Sequence, residues 1–404
     1  MASQQNGIFG IIAEFNPFHR GHAALLHAAR QAGAQQIAVV MSGDFVQRGG
    51  PALFSKWARA EMALRCGADA VFELPLPWAM AGAERFAEGG AFLLSQIGCG
   101  TICFGSECGD AQALGALAQL LLSEPFSLAV KRELAKGLSF AAARERAVRA
   151  LAGNDAADLL REPNNTLAVE YLKACRRLGL AMQPFTVART GPGHHDETSS
   201  GSLASATAIR GRMLRGENWH GLMMPQAEEI AQRELARGAA PADPARMERA
   251  LLACLRSLPR DAFARLPDVS EGLENRLFAA SRQAGTAEAF FRLAKTKRYP
   301  LARLRRIAYS ALRGLRAEHA AGLPPYLRLL GFRAEAAPLL RKAKRTGKLP
   351  LCTHSSDLLH LDKTGRIVVE LEGRLRSARA LLPFPRAVRA GSFARRHPPV
   401  SACL

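Results

Sequence analysis

His19, Gly21 and His22 form a His-x-Gly-His cluster directly after an apolar run, and their spacing suits phosphate chemistry. Residues 8–15 are rich in isoleucine and predict a strand covered on both faces. Pro17 turns the chain, and the cluster then opens a predicted helix. A helix start offers unpaired N–H groups and the positive end of its dipole, a ready anion site. Two imidazoles three residues apart on that first turn can face one phosphate, and Gly21 leaves room for a nucleotide against the backbone. An adenylyl transfer needs mainly positioning and charge neutralisation, which such imidazoles supply. Alone, the cluster is equally consistent with a metal site or a chance pair. Between a buried strand and a helix, the phosphate reading is favoured.

Other chemistry-bearing residues are mostly cationic. Lys295, Lys297, Arg298, Arg303, Arg305 and Arg306 place six cations within twelve residues without an acid, and Tyr299 lies between them. Such a run is either a nucleic-acid backbone patch with one stacking ring or a solvated basic face. Lys342, Lys344, Arg345 and Lys348 form a second, lesser patch. Arg48, Lys56 and Arg59 follow the predicted second strand and suit either an RNA strand or nucleotide phosphates. Cys99, Cys103 and Cys108 lack regular ligand spacing and are expected to be core thiols, not a zinc site. His194, His195 and Asp196 lie in a Gly/His/Ser-rich stretch; metal binding, acid–base work and a loop cap are all open there. Glu14 ends the first strand, positioned to orient a histidine, hold a ribose or pair with an arginine. His27 is expected at the surface or in packing.

The elements that must hold these residues alternate over the first hundred positions. Strands are predicted near 8–15, 37–41, 68–74 and 101–104, with helices at 23–32, 56–66 and 83–97. Glycines 33 and 67 close two of the helices. This alternation implies βαβ units and a parallel sheet, with ligands beyond the carboxyl ends of the strands. Helical patterns dominate 110–180, one more strand is predicted at 184–187, and 206–340 is expected to be almost wholly helical. Residues 363–404 hold nine basic and two acidic residues with several prolines, and are expected to be weakly ordered.

Composition narrows the partners. The chain has 404 residues, 48% of them hydrophobic, which supports a packed core and excludes wholesale disorder. No apolar run reaches the roughly eighteen residues of a membrane span, and the polar first six residues predict no signal peptide. Eight scattered cysteines without a C-x-x-C pair point to reduced thiols and a cytoplasmic setting. The balance of 55 Lys+Arg against 35 Asp+Glu gives a net charge of +20. That excess either serves a polyanion, most often nucleic acid, or reflects an Arg- and Ala-rich composition.

The His-x-Gly-His context resembles the nucleotidyltransferase superfamily with a HIGH-like motif. That resemblance implies ATP bound across the sheet, imidazoles on its phosphates and release of pyrophosphate. Ser205, Thr207 and Arg210 match the superfamily's second motif in type, with hydroxyls at a helix start and an arginine one turn in. Hydroxyl, N–H and guanidinium donors make a pyrophosphate cradle, although the same residues alone describe an ordinary N-capped helix.

Longer stretches resemble the bacterial tRNA(Met) cytidine acetate ligases. Gly10-Ile11-Ile12-Ala13-Glu14-Phe15-Asn16-Pro17-Phe18-His19-Arg20-Gly21-His22 is similar to their GIIAEYNPFHNGH opening. Met41-Ser42-Gly43-Asp44-Phe45-Val46-Gln47-Arg48-Gly49, with Lys56-Trp57-Ala58-Arg59, is similar to their second conserved segment. Glu73-Leu74-Pro75, Phe104-Gly105-Ser106-Glu107, Pro163-Asn164-Asn165, Asp268-Val269-Ser270 and Ser355-Ser356-Asp357 continue the likeness across 7–361. Phe15 stands where tyrosine is usual, and Asp44 where asparagine is usual.

The resemblance implies an α/β, Rossmann-like HIGH-motif nucleotidyltransferase domain with a parallel sheet at 1–215. A mostly α-helical, basic tRNA-binding domain follows at 216–362, and a basic tail at 363–404. It implies an ATP-dependent ligase that makes acetyl-adenylate and moves acetyl to N4 of the wobble cytidine of elongator tRNA(Met). His19 and His22 are the implied catalytic pair. ATP contacts are implied for Ile12, Ala13, Glu14, Phe15, Asn16, Pro17, Phe18, His19, Arg20, Gly21, His22, Ala23, Ala24 and Leu25. Further implied contacts are Gly105, Asn164, Arg189, Ser205, Thr207 and Arg210. The expected tRNA contacts are Lys56, Arg59, Lys295, Lys297, Arg298, Arg303, Arg305 and Arg306. Mg²⁺ is expected to travel with ATP, with no dedicated protein metal cage; acetate is the second small substrate. Two other readings compete: an adenylyltransferase of a small phosphorylated coenzyme precursor, and a non-catalytic RNA-binding protein.

Overall fold

The computed structural model describes residues 7–189, 204–270, 272–379 and 400–402. The chain opens with β1 (Ile8–Ala13), α1 (Arg20–Gln31) and β2 (Gln36–Ser42). A short hairpin follows, β3 (Phe45–Val46) and β4 (Gly50–Pro51), then α2 (Lys56–Arg65) and β5 (Ala70–Leu74). Next come α3 (Leu76–Ala79), α4 (Ala83–Ile97) and β6 (Thr101–Ser106). Four helices, α5 (Ala111–Leu120), α6 (Glu124–Ala135), α7 (Phe140–Leu159) and α8 (Pro163–Arg177), lead to β7 (Gln183–Ala188). The expected βαβ alternation is present.

Alternation of side chains explains why these strands are apolar throughout. In β1, Ile8 and Ile12 enter one core cluster while Phe9 and Ile11 enter another on the opposite face. In β2, Ala38 and Val40 divide from Ile37, Val39 and Met41 in the same way. Both faces are therefore dry, as a helix-covered parallel sheet requires. The strands from β1 to β2 and β5 run to one side of β1, and β6 with β7 to the other. This reversal of strand order puts a crevice beyond the carboxyl ends of β1 and β6, the place where open α/β sheets bind ligands.

The second half departs from an independent helical domain. Helices α9 (Ala206–Arg215) and α10 (Pro225–Ala236) return to the sheet, where Trp219, Met223 and Ile230 share a core cluster with β1 and β2. Helices α11 (Glu248–Ser257), α12 (Arg260–Ala264), α13 (Leu273–Gln283), α14 (Ala287–Ala294) and α15 (Leu301–Arg313) form their own body. Its core contains Leu255, Phe263, Leu277, Phe290 and Ile307. Then β8 (Leu327–Arg333) breaks the expected run of helix and joins the sheet antiparallel to β5. Its leucines and arginines suit a helix by propensity; burial of Leu327, Leu329 and Leu330 against the sheet overrides that preference. The eight-stranded sheet is completed by β9 (Leu351–Cys352), which follows α16 (Ala337–Thr346), and by β10 (Val400–Ala402). The boundary expected near residue 216 thus divides a shared core, and the sheet recovers the chain after α15.

The segment expected to be weakly ordered from 363 onward begins with an ordered helix, α17 (Lys363–Arg379). Val368 and Leu371 are buried, and Leu371 joins Phe45, Leu76 and Tyr309 in a small cluster where sheet, helical body and α17 meet. Two apolar anchors outweigh the basic composition around them. Residues 380–399, 403 and 404 lie outside the described residues. Among the described residues, no single helix is long and apolar enough to cross a membrane.

Candidate active site

The β1–α1 junction is held from several directions. Phe15 adopts a left-handed backbone, with φ 45°, and the Asn16–Pro17 bond is cis. His19 is the N-cap of α1. Its Nδ1 accepts the Gly21 N–H at 3.0 Å, and His22 Nδ1 accepts the His19 N–H at 3.2 Å. The two rings stack with centroids 3.7 Å apart. Because both Nδ1 atoms accept, each neutral ring carries its proton on Nε2, which makes that atom a donor. Phe15 meets the His22 ring edge-on at 4.8 Å, and Phe18 lies 5.6 Å from it. Gly21 has a local reason: a Cβ there would stand 2.9 Å from His19 Cε1. It makes room for the folded imidazole.

The second motif reaches this junction. Ser205 caps α9, its Oγ accepting the Ala208 N–H at 3.1 Å. Arg210 donates to the Asn16 carbonyl at 2.6 Å and to Thr207 Oγ1 at 3.0 Å. Burial pushes the Arg210 guanidinium down to about 10, opposed by Glu14 and assisted by Arg48. It therefore stays cationic at neutral pH, at the turn that precedes the imidazole pair.

A third group gathers where β6 and β7 end. The Glu107 carboxylate accepts N–H groups from Asn164 and Asn165, and the Asn164 side-chain amide at 2.6 Å. Asn165 answers by accepting the Glu107 and Cys108 N–H groups. The Arg189 N–H bonds the Ser106 carbonyl, and its side chain lies over Gly105, 3.3 Å from where a Cβ would stand. Gly105, Asn164 and Arg189 thus meet at one strand end. Residues 190–203, including His194, His195 and Asp196, lie outside the described residues.

Other expected contacts divide. Ile12 is buried in the sheet, Ala13 ends β1, and Glu14 Oε1 accepts the Gln47 N–H at 2.9 Å. Asn16 Oδ1 accepts the Leu53 N–H, and Pro17 is buried. Leu25 packs half-buried against the core on α1. Arg20, Ala23 and Ala24 instead line a separate cavity of about 630 Å³ with Leu26, His27 and Cys66, which contains neither His19 nor His22. Asp44 uses its carboxylate internally, accepting the Lys56 N–H at the start of α2, which an asparagine oxygen would also do.

Two of the expected tRNA contacts, Lys56 and Arg59, are buried. Lys56 is 2% exposed and paired with Glu73, with Glu372 at 3.5 Å. Arg59 is 0% exposed, its guanidinium spent on backbone carbonyls. The first turn of α2 thus points its cations inward, onto carboxylates and carbonyls. Lys295, Lys297, Arg298 and Arg305 are exposed. Arg303 and Arg306 are half-buried and tied to the segment around Asp268 and Ser270. Tyr299 is buried in the helical core with Arg303 over its ring, so the expected stacking ring is inside. Cys99 and Cys103 are buried thiols, with burial pushing Cys99 up to about 12. Among the described residues no group of three or more His, Cys, Asp or Glu side chains is arranged for a metal.

Sequence reasoning missed one buried assembly. Arg328 from β8 lies 3.3 Å from Glu73 and 3.2 Å from Glu372 of α17, completing a four-charge cluster with Lys56. The available signal was Glu372 next to the apolar Leu371 and one helical turn from Val368.

The HIGH Nucleotidyl Transferase family model matches residues 6–376. A tRNA(Met) cytidine acetate ligase of Syntrophotalea carbinolica is 41% identical over 356 residues, covering 86% of this chain and 84% of that protein. One of Syntrophomonas wolfei is 39% identical over 368 residues, covering 87% of this chain and 88% of that protein. The crystal structure of Thermotoga maritima TmcAL bound with alpha-thio ATP superposes with a TM-score of 0.87 at 31% identity, covering 94% of this chain and 95% of that one.

Proposed function

The chain belongs to the HIGH nucleotidyl transferase family and, within it, to the tRNA(Met) cytidine acetate ligases, and from that premise we propose how its residues divide the reaction. It is an ATP-binding ligase of tRNA modification. In the first step a carboxylate oxygen of acetate bonds the α-phosphorus of ATP. The bond to the β-phosphate bridge breaks, leaving acetyl-adenylate and pyrophosphate. In the second, N4 of the wobble cytidine in elongator tRNA(Met) attacks the acetyl carbonyl. The C–O bond breaks, AMP leaves, and the amine loses a proton. Activation is needed because acetate is a poor electrophile, and its mixed anhydride hydrolyses unless water is kept out.

His19 and His22 donate from Nε2 to the α-phosphate region, helped by the N–H groups of α1. Arg210, Ser205 and Thr207 neutralise the departing pyrophosphate. Gly105, Asn164 and Arg189 flank the nucleoside end. Mg²⁺, carried on the triphosphate and not held by a protein cage, would supply further charge neutralisation when bound. Lys295, Lys297, Arg298 and Arg305 meet the tRNA backbone, with Arg303 and Arg306 behind them. The observation that carries this division is the stacked imidazole pair, whose Nδ1 atoms are both engaged by backbone N–H groups. The family match runs on through the helical body, and the relatives that cover 86% and 87% of the chain are tRNA(Met) cytidine acetate ligases, which favours this reading over a coenzyme adenylyltransferase.

The test is nucleoside mass spectrometry of unmodified tRNA(Met) incubated with enzyme, ATP and isotopically labelled acetate. Labelled N4-acetylcytidine is expected at the wobble position, and acetate-dependent pyrophosphate release is expected without tRNA. Absence of both would sink the reading.

A further inference from the structure

Arg59 is wholly buried, and a buried guanidinium is retained only where its donors are used. Its Nε donates to the Phe54 carbonyl at 3.1 Å, and one Nη to the carbonyls of Glu14 at 2.5 Å and Ser42 at 3.1 Å. The other Nη donates to the Gly43 carbonyl. One planar fork thus fastens the carboxyl end of β2 to the residue that follows β1. That residue, Glu14, immediately precedes Phe15, whose left-handed backbone is costly for a bulky side chain. Such a conformation persists where its flanks are over-determined. Here the Glu14 carboxylate is held by the Gln47 N–H, and Asn16 is held by Leu53 and Arg210. Phe15 in turn packs edge-on against His22.

We propose that Arg59 is a positioning residue for the first chemical step: it holds Glu14, and through it the strained Phe15, so that the His19–His22 pair faces the triphosphate. The proposal rests on the β1–α1 junction being the ATP site. It assigns Arg59 to chemistry that no contact with ATP or RNA explains. Lysine is a poor substitute, because an ammonium is a point charge and cannot span carbonyls from two strand ends.

The experiment measures acetate-dependent pyrophosphate release, tRNA affinity against salt, and thermal unfolding for Arg59→Lys, with His22→Ala as a parallel control. Arg59→Lys is expected to fold and to bind tRNA with the wild-type salt slope, while its kcat drops about 10²-fold, the scale of a 1 Å misplacement. Arg59→Ala should regain part of its turnover in millimolar guanidinium and none in methylammonium. Three results would overturn the proposal. One is Arg59→Lys turnover within about threefold of wild type. Another is a salt slope lowered by about one with chemistry intact, which would make Arg59 an RNA contact. The third is parallel loss of folding and every activity in both variants, without guanidinium rescue, which would make its role purely structural. If His22→Ala alone leaves ATP turnover unchanged, the reading of the junction fails instead.

Discussion

Arg210 donates a 2.6 Å hydrogen bond to the Asn16 carbonyl, joining two segments 194 residues apart in the chain. The bond sets a cationic fork between the turn that follows β1 and the helix that carries the second motif. It ties the two motifs together, and its loss should separate them.

Arg210→Met is expected to lower kcat/KM for ATP in pyrophosphate release by about 10²–10³-fold, the scale for removing a preorganised charge donor. Binding of tRNA should hold at its wild-type value. Steady-state kinetics at saturating acetate, with filter binding of tRNA in parallel, check both.

His22→Ala should cost turnover by orders of magnitude and leave tRNA affinity nearly intact. It also removes the acceptor for the His19 N–H, so a stability loss of about 1 kcal/mol is expected, as for other lost caps. Calorimetry alongside the kinetics separates the two effects. Equal loss of tRNA affinity would refute the assigned role.

Replacing Lys295, Lys297, Arg298 and Arg305 together by alanine should flatten the salt dependence of tRNA binding, by about 0.7–0.9 in slope per lost phosphate contact. Titrations at several salt concentrations read this directly. An unchanged slope would put the RNA on another face, such as the basic surface of α16.

The Lys56, Glu73, Arg328 and Glu372 cluster predicts an asymmetry. Lys56→Met leaves a buried carboxylate short of a partner and should cost about 3–5 kcal/mol. Combining it with Glu372→Gln should recover part of that loss in denaturant unfolding. Burial, then the neighbouring Glu73 carboxylate, hold Glu372 above its ordinary 4.5. The folded state therefore keeps that proton to higher pH than the unfolded chain. Its contribution to stability is full below 4.5 and is lost as pH rises through the raised value. Glu372→Gln should flatten that fall, measured as melting temperature against pH.

The sequence alone determined the βαβ core and the strand-to-helix turn that carries His19 and His22, because both are written in local pattern. Apolar runs buried on two faces declare parallel strands, and a His-x-Gly-His between strand and helix declares a capped helix start. It also declared the cationic run around Lys297, since charge density needs no fold to be counted. Tertiary structure decided which cations remain available. Lys56 and Arg59 read like their exposed counterparts, yet α2 turns them beneath the sheet, where carboxylates and carbonyls use them up. It decided that Tyr299 fills a core, that β8 returns to join the sheet, and that α17 returns to pair with it through Glu372. Those outcomes depend on partners far away in sequence: Leu329 finds β5, and Glu372 finds Lys56 and Arg328. Local propensity carries no record of such pairings, and burial against them is what overrides it.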